Sequence, residues 1–174
     1  MTVASMKQSS ILQGVAPKGS VLQVVSTTKT DTFSTTSTSY VDVTGLTATI
    51  TPISTSSRIE VSVVVPFATL RGTVTRAGWS AFRGSTNLVS PSSPGSRTPA
   101  AHWPSDNGFG SSSQYRSSTF QIVDSPGTTS ELTYKVMAIC ESGQTAYVNR
   151  SEGDNNASDV ARGVSTIILM EVAG

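Results

Sequence analysis

A hydrolase built on an activated serine needs a histidine beside it, and this chain has one histidine, His102, in a proline-rich stretch; no Gly-x-Ser-x-Gly elbow occurs anywhere. His102 therefore reads as a surface residue beside Trp103. One histidine and one cysteine, Cys140, cannot make a two-histidine or tetrahedral zinc site, so neither metal catalysis nor a cofactor is expected. Cys140 falls on an alternating apolar segment, where a buried, inert thiol is the usual outcome. Glycan cleavage needs two carboxylates facing each other across a cleft. Asp42, Glu60, Asp124, Glu131 and Glu171 instead lie on or beside strand-like segments and read as solvent-facing charge. The run Ser151-Glu152-Gly153-Asp154-Asn155-Asn156-Ala157-Ser158-Asp159 has oxygen ligands without the spacing of a calcium loop, and reads as a solvated turn. Trp103, Phe109 and Tyr115 could form an aromatic platform for a sugar or a protein, or could anchor the loop that carries them. His102, Trp103 and Phe109 are the candidate surface-recognition residues. The expected protein is not an enzyme.

Composition narrows the partners. Charged residues are 13% of the chain and the net charge is +1. Ser and Thr together supply roughly three residues in ten, far above ordinary usage. The surface is thus polar mainly through hydroxyls, and the scattered Lys and Arg form no basic stripe, so no nucleic-acid partner is expected. Apolar runs such as 61–70 and 167–172 are too short to span a bilayer, and residues 1–13 lack a charged-then-apolar leader pattern. No membrane association is expected. The sequons at Asn149 and Asn156 matter only in a eukaryotic secretory pathway and are discounted.

The elements that must position any site are strands. Residues 1–19 show neither helical nor strand periodicity and read as an extended N-terminal arm, with Ile11, Leu12 and Val15 as apolar anchors. Residues 20–174 read as one antiparallel β-sandwich domain of an all-β chain. Eight segments rich in Val, Ile, Thr and aromatics (21–26, 40–50, 58–70, 75–83, 114–123, 131–140, 144–149, 164–172) are separated by Gly, Pro, Ser and Asn clusters. Alternation places Ile59, Val61, Val63, Leu132, Tyr134, Val136, Ile167 and Leu169 in the core. Two strands are apolar on both faces, which leaves Met137, Ile139, Ile168 and Met170 pointing away from that core. A subunit interface, or a covering loop, is expected over them. Residues 90–113 are too rich in Pro and Gly for strand or helix, and a connection that long is usually functional or disordered. The segments 124–127 and 141–144 read as turns of antiparallel hairpins.

From Val21 onward, an ordered set of phrases adds a further signal: Val21-Leu22-Gln23-Val24-Val25, the Thr/Ser tract at 27–39, Tyr40-Val41-Asp42-Val43-Thr44-Gly45-Leu46, Ile50-Thr51-Pro52, Asp124-Ser125-Pro126, Tyr134-Lys135-Val136, Asn149-Arg150-Ser151 and Ser165-Thr166-Ile167-Ile168-Leu169-Met170-Glu171. In this order they resemble virion structural proteins of tailed phages, cyanophages and marine phages especially. The resemblance implies a jelly-roll-like sandwich that trimerises, in the style of capsid decoration proteins and tail-fibre tips. It implies no catalytic residues, because the shared text is strand framework. The chain departs from fibre proteins in having no long shaft. The expected role is a homotrimeric capsid cement or decoration protein on the outer capsid surface, partnered by the major capsid protein. A receptor-binding fibre tip that recognises a host surface glycan or receptor is the alternative, and a glycan-active spike enzyme a third.

Overall fold

Period-two alternation along Val, Ile and Thr runs lays down the strands. The computed structural model describes residues 16–69, 75–89, 91–92, 95–106, 113 and 116–174. The strands are β1 Val21–Lys29, β2 Phe33–Thr35, β3 Val41–Ile50, β4 Arg58–Thr69, β5 Thr75–Arg83, β6 Thr86–Asn87, β7 Ser105–Asp106, β8 Arg116–Asp124, β9 Leu132–Cys140, β10 Ala146–Val148 and β11 Ser165–Val172. Each of the eight expected segments contains a strand, and the described residues contain no helix. The arm's Ile11, Leu12 and Val15 lie outside the described residues.

Two antiparallel sheets result. In the first, β1 pairs β11, β11 pairs β4, and β8 pairs the opposite edge of β4; β10 and β2 continue alongside the far end of β4. In the second, β3 pairs β9 and β9 pairs β5, with β6 and β7 on the remaining edge of β5. Successive long strands therefore alternate between sheets, the connectivity of a jelly roll. The segments expected to turn hairpins do not: 125–131 joins β8 to β9 and 141–145 joins β9 to β10, each crossing from one sheet to the other. Turn residues fix a reversal of direction, but the sheet that receives the next strand is decided by burial of its apolar face.

That face fills the space between the sheets. Ile59, Val61, Val63, Val65 and Phe67 of β4 and Ile167 and Leu169 of β11 meet Val43, Leu46, Ala48 and Ile50 of β3, Tyr134, Val136 and Ala138 of β9, and Ala77, Trp79 and Ala81 of β5. Seven of the eight expected core residues are fully buried, while Leu132, the first residue of β9, packs at the margin.

The antiparallel registers also give the domain two distinct ends. At the base are residues 16–20, the β3–β4 connection, the β8–β9 connection and the C-terminus. The Gly19 N–H donates to the Ala173 carbonyl (2.8 Å) and the Ala173 N–H to the Ser20 carbonyl (2.9 Å), extending the β1–β11 ladder downward. At the opposite end lie the last residues of β4, the first of β5, the β9–β10 turn and β7. The 12 residues of β4 separate the two ends by about 40 Å.

Candidate functional site

The long connection after β6 is not a free loop. Its Leu88 N–H donates to the Ala81 carbonyl (3.0 Å), the Trp79 N–H to the His102 carbonyl (3.0 Å), and the Ala101 and His102 N–H groups to the Trp79 carbonyl (3.0 and 3.2 Å); β7 then pairs Thr75 and Arg76. Thr86–Asn87, Ala101–His102 and Ser105–Asp106 thus form one interrupted edge strand along β5. The expectation of no strand in 90–113 is corrected to this extent. An edge position tolerates nearby prolines, because only one side of the strand needs its N–H groups. The segment also protects an otherwise open edge.

The same segment braces His102 against the first sheet. The His102 ring is hydrogen-bonded through Nδ1 to the Ser118 hydroxyl and stands edge-on to Phe67, 6.1 Å between centroids. Burial pushes the His102 pKa below its ordinary value. It is therefore a partly buried brace, not the exposed residue expected. The Ser118 hydroxyl belongs to a fully buried residue, out of reach of a substrate carbonyl, so the pair does not form a nucleophile and base. The Trp103 ring sits over Gly78 of β5, the glycine that Ile139 also flanks. Tyr40 donates to the Pro99 carbonyl (2.7 Å), stacks edge-on against Phe82 (5.1 Å), and burial pushes its pKa up to about 12. Trp103 rests on the sheet, as a loop anchor would, and is still partly exposed; Phe109 and Tyr115 lie outside the described residues.

A methyl group on Gly78 would overlap the Trp103 ring and crowd the Ile139 side chain. Gly78→Ala is therefore expected to lift Trp103 from the sheet and cost about 1–3 kcal/mol, as overpacking does. Tryptophan emission should shift to the red while Trp79 stays in the core. Unchanged emission and an unchanged urea midpoint would show that the ring does not rest there.

The four residues expected to point away from the core do so, but they do not form one patch. Met137 and Ile139 lie on the outer face of the second sheet, with Ile139 covered by Trp103 and only 8% exposed. Ile168 and Met170 lie on the outer face of the first sheet, on the opposite side of the sandwich, both half-buried. There the registers place Val24, Met170, Glu60 and Val123 in one cross-strand row, Ser26, Ile168, Ser62 and Gln121 in the next, and Thr28, Thr166, Val64 and Thr119 in the third. Val24 and Val123 are 56% and 57% exposed. The β5 side of the second sheet carries the chain's own loop, while the outer face of the first sheet mixes Val24, Val64, Val123, Ile168 and Met170 with Ser, Thr, Gln and Glu60.

The acidic residues divide in a way that alternation alone does not reveal. Asp42 pairs with Lys135 (2.7 Å) at the surface, as expected. Asp124 does not face solvent: its Oδ2 accepts from the Tyr134 hydroxyl (2.7 Å) and pairs with Arg83 (3.1 Å). Burial, with Asp124 beside it, raises the Tyr134 pKa far above its ordinary value. Glu171 is fully buried, and it accepts from Gln23 Nε2 (2.6 Å) and the Ile53 N–H (2.7 Å). The oxygen-rich run is no plain solvated turn either. Asp154 is held by Arg162 through two bonds (2.9 and 2.7 Å), with Arg150 at 3.6 Å, so its carboxylate is already neutralised by guanidinium groups. Among the described residues no three His, Cys, Asp or Glu side chains come together as a metal site would require. Cys140 is buried, its thiol donates to the Thr35 carbonyl (3.1 Å), and burial raises its pKa, which keeps thiolate scarce.

No known protein family and no curated protein matches this sequence. In fold, the chain is similar to structures from infectious bursal disease virus. These include a mutant VP2 protein in derived T=1 particles (15% identity, TM-score 0.40), another structure of virus-derived T=1 particles (17%, 0.42) and the virus of the Gx strain (16%, 0.39). Each match covers 87% of this chain and 36% of the viral one, so this chain spans about a third of the length of those proteins.

Proposed function

We propose that the protein is a structural component of a bacteriophage particle, a cement or decoration protein that assembles as a homotrimer on the outer capsid surface and stabilises the shell. The polarity of the domain is the observation that supports this reading most. The arm enters at the base, beside the C-terminus, and the long connection closes at the far end of β5. A part that must be fixed to a shell and face outward needs that arrangement. On this reading Ile11, Leu12 and Val15 anchor the arm across neighbouring copies of the major capsid protein. An extended arm of 18 or 19 residues reaches about 60 Å, enough to pass from one subunit to the next. Ile168 and Met170, with Val24 and Val123 beside them, are the residues through which neighbouring copies meet on the shell. The receptor-binding tip of a tail fibre would use the same polarity, with a host glycan or receptor at the far end. The bracing of His102 against Ser118 counts against that reading, since it leaves the ring less available to a ligand.

Deleting residues 1–15 leaves the Gly19–Ala173 pairing intact and tests the reading directly. The truncated protein is expected to fold, to lose binding to capsids, and to leave those capsids less resistant to heat. Shortening the 89–100 excursion should leave adsorption of the phage to cells unchanged. If the shortened excursion alone stops adsorption and capsids bind neither form, the cement assignment fails and the fibre-tip reading replaces it.

A further inference from the structure

An open sheet edge offers unpaired N–H and C=O groups to any other chain, and folded proteins blunt such edges with bulges, charges, prolines or a covering segment. Three of the four edges of this sandwich are protected in that way. β1 carries a bulge between Val21 and Gln23 and is tied across to the second sheet by Gln23, whose Nε2 donates to the Thr51 carbonyl (2.8 Å). β3 breaks its ladder: Val43 to Leu46 stand opposite Val136 alone, and Gly45 holds a φ of 82° there. β5 is covered by the interrupted strand of the long connection. β8 has none of these features. It pairs Arg116–Asp124 with Ile59–Phe67 of β4 in nine successive registers without a shift, contains neither Pro nor Gly, and is charged only at its two ends. Among the described residues, β4 is its only backbone partner. We propose that this edge pairs with the same edge of a second copy, β8 against β8 in an antiparallel register centred on Phe120, which joins two first sheets into one.

The sequence of β8 favours this occupant and this direction. Turned about Phe120, every residue meets one of the same phase: Phe120 meets Phe120, Thr119 meets Gln121, and Arg116 meets Asp124 of the other copy. Core-facing positions therefore stay with core-facing positions, which a slip by one residue would undo. The ends of opposite sign select the direction, because parallel pairing would set Arg116 beside Arg116 and Asp124 beside Asp124. Nine residue pairs in this register supply about eight to ten backbone hydrogen bonds. β8 runs from the far end of the domain to its base, so the pairing lays one copy's base beside the other's far end. Two copies joined in this way cannot both set their bases on one shell. The pair is a form of the free protein, one that keeps its last open edge from unrelated strands. On the proposed function, attachment to the shell has to open it; the pairing itself does not depend on that reading.

Sedimentation of the isolated full chain, from low to high micromolar concentration, is expected to show a reversible doubling of mass. Thr119 and Gln121 are exposed and lie opposite each other across the axis, so charge can test the register. Thr119→Lys with Gln121→Lys sets lysine against lysine at two places and should weaken the association about tenfold. Thr119→Lys with Gln121→Glu sets lysine against glutamate at the same two places and should restore it. Amide exchange of the unsubstituted chain reads the contact without any variant: alternate amides of 117–123, those not bonded to β4, should be protected at high concentration and lose that protection on dilution. A mass and an exchange pattern that ignore concentration overturn the proposal. Association that ignores both double variants lies elsewhere on the molecule, and association that both weaken alike uses another register; either result overturns it. If pairs form as described but capsids bind neither the chain nor its lysine variant, the proposed function fails and this inference stands. If capsids bind a chain that never pairs, the inference fails and the proposed function stands.

Discussion

Replacing Asn149 with alanine is expected to destabilise the protein by about 3–5 kcal/mol, seen as a lower urea midpoint with unchanged slope. Asn149 is fully buried where two neighbouring strands are interrupted side by side: β1 gives way to β2 after Lys29, and β10 stops at Val148, well before β11 begins. The side chain closes that gap. Its Nδ2 donates to the carbonyls of Lys29 and Asp31, both at 2.9 Å, and its Oδ1 accepts from the Ser165 hydroxyl at 2.6 Å. The backbone adds an N–H bond to the Pro66 carbonyl (2.8 Å) and accepts one from Gly163 (3.1 Å). Alanine would leave the Lys29 carbonyl and the Ser165 hydroxyl without this partner in buried residues, at about 1–3 kcal/mol each before relaxation, and would free the more exposed Asp31 carbonyl. It would also have to hold a φ of 61°, a left-handed conformation that asparagine tolerates better than alanine. Asn149→Gly should recover the backbone part of the loss and none of the side-chain part, placing it between wild type and alanine. A loss below about 1 kcal/mol for alanine would mean that the clamp does not hold the junction. The same burial takes this sequon out of reach of any glycosylating enzyme in the folded protein.

How far the sequence speaks for itself follows from what each signal measures. Alternation reports which side of a strand is apolar, so β4, β9 and β11 and nearly all of their core residues were legible. It does not report what lies over the outer side, and so Ile139 and Ile168, alike in the sequence, end under a tryptophan and on an open face. Short strands without a repeat, such as Phe33–Thr35 within the Thr/Ser tract and Ser105–Asp106 beside prolines, carry no periodic signal; their backbone partners alone define them. The polar residues hardest to place are those buried by design. Glu171 occupies an inward position of β11, in phase with Ile167 and Leu169, and that phase was the available clue. Asn149 offered none, since an asparagine after a strand normally signals a turn. The domain boundary near residue 19 rests on the loss of periodicity before it.

Glu171→Gln is expected to cost about 2–4 kcal/mol at neutral pH and to flatten the acid limb of the stability curve. Burial by itself pushes the Glu171 pKa up, but the donors around the carboxylate, Gln23 and the backbone N–H groups of Ile53 and Ser54 among them, outweigh it and hold the pKa below the ordinary value. These bonds tie the end of β11 to β1 and to the β3–β4 connection, the parts of the base from which the arm departs. A carboxyl held low in the fold binds its proton more readily in the unfolded chain. Its contribution is therefore complete above the unfolded value near 4.3 and is lost as pH falls through the lower folded value. Asp31, held low by Lys29, and Asp154, held low by Arg162, lose their contributions in the same direction, so the wild-type acid limb is shared. The difference between wild type and Glu171→Gln isolates one member of the set. Glutamine turns an NH₂ group toward groups that are themselves donors and so forfeits at least one bond at every pH. Urea midpoints measured from pH 7 to pH 3 should therefore converge as the wild type protonates. Curves that stay parallel over that range would mean that the carboxylate charge at the base contributes nothing, and that Glu171 acts there only through its size.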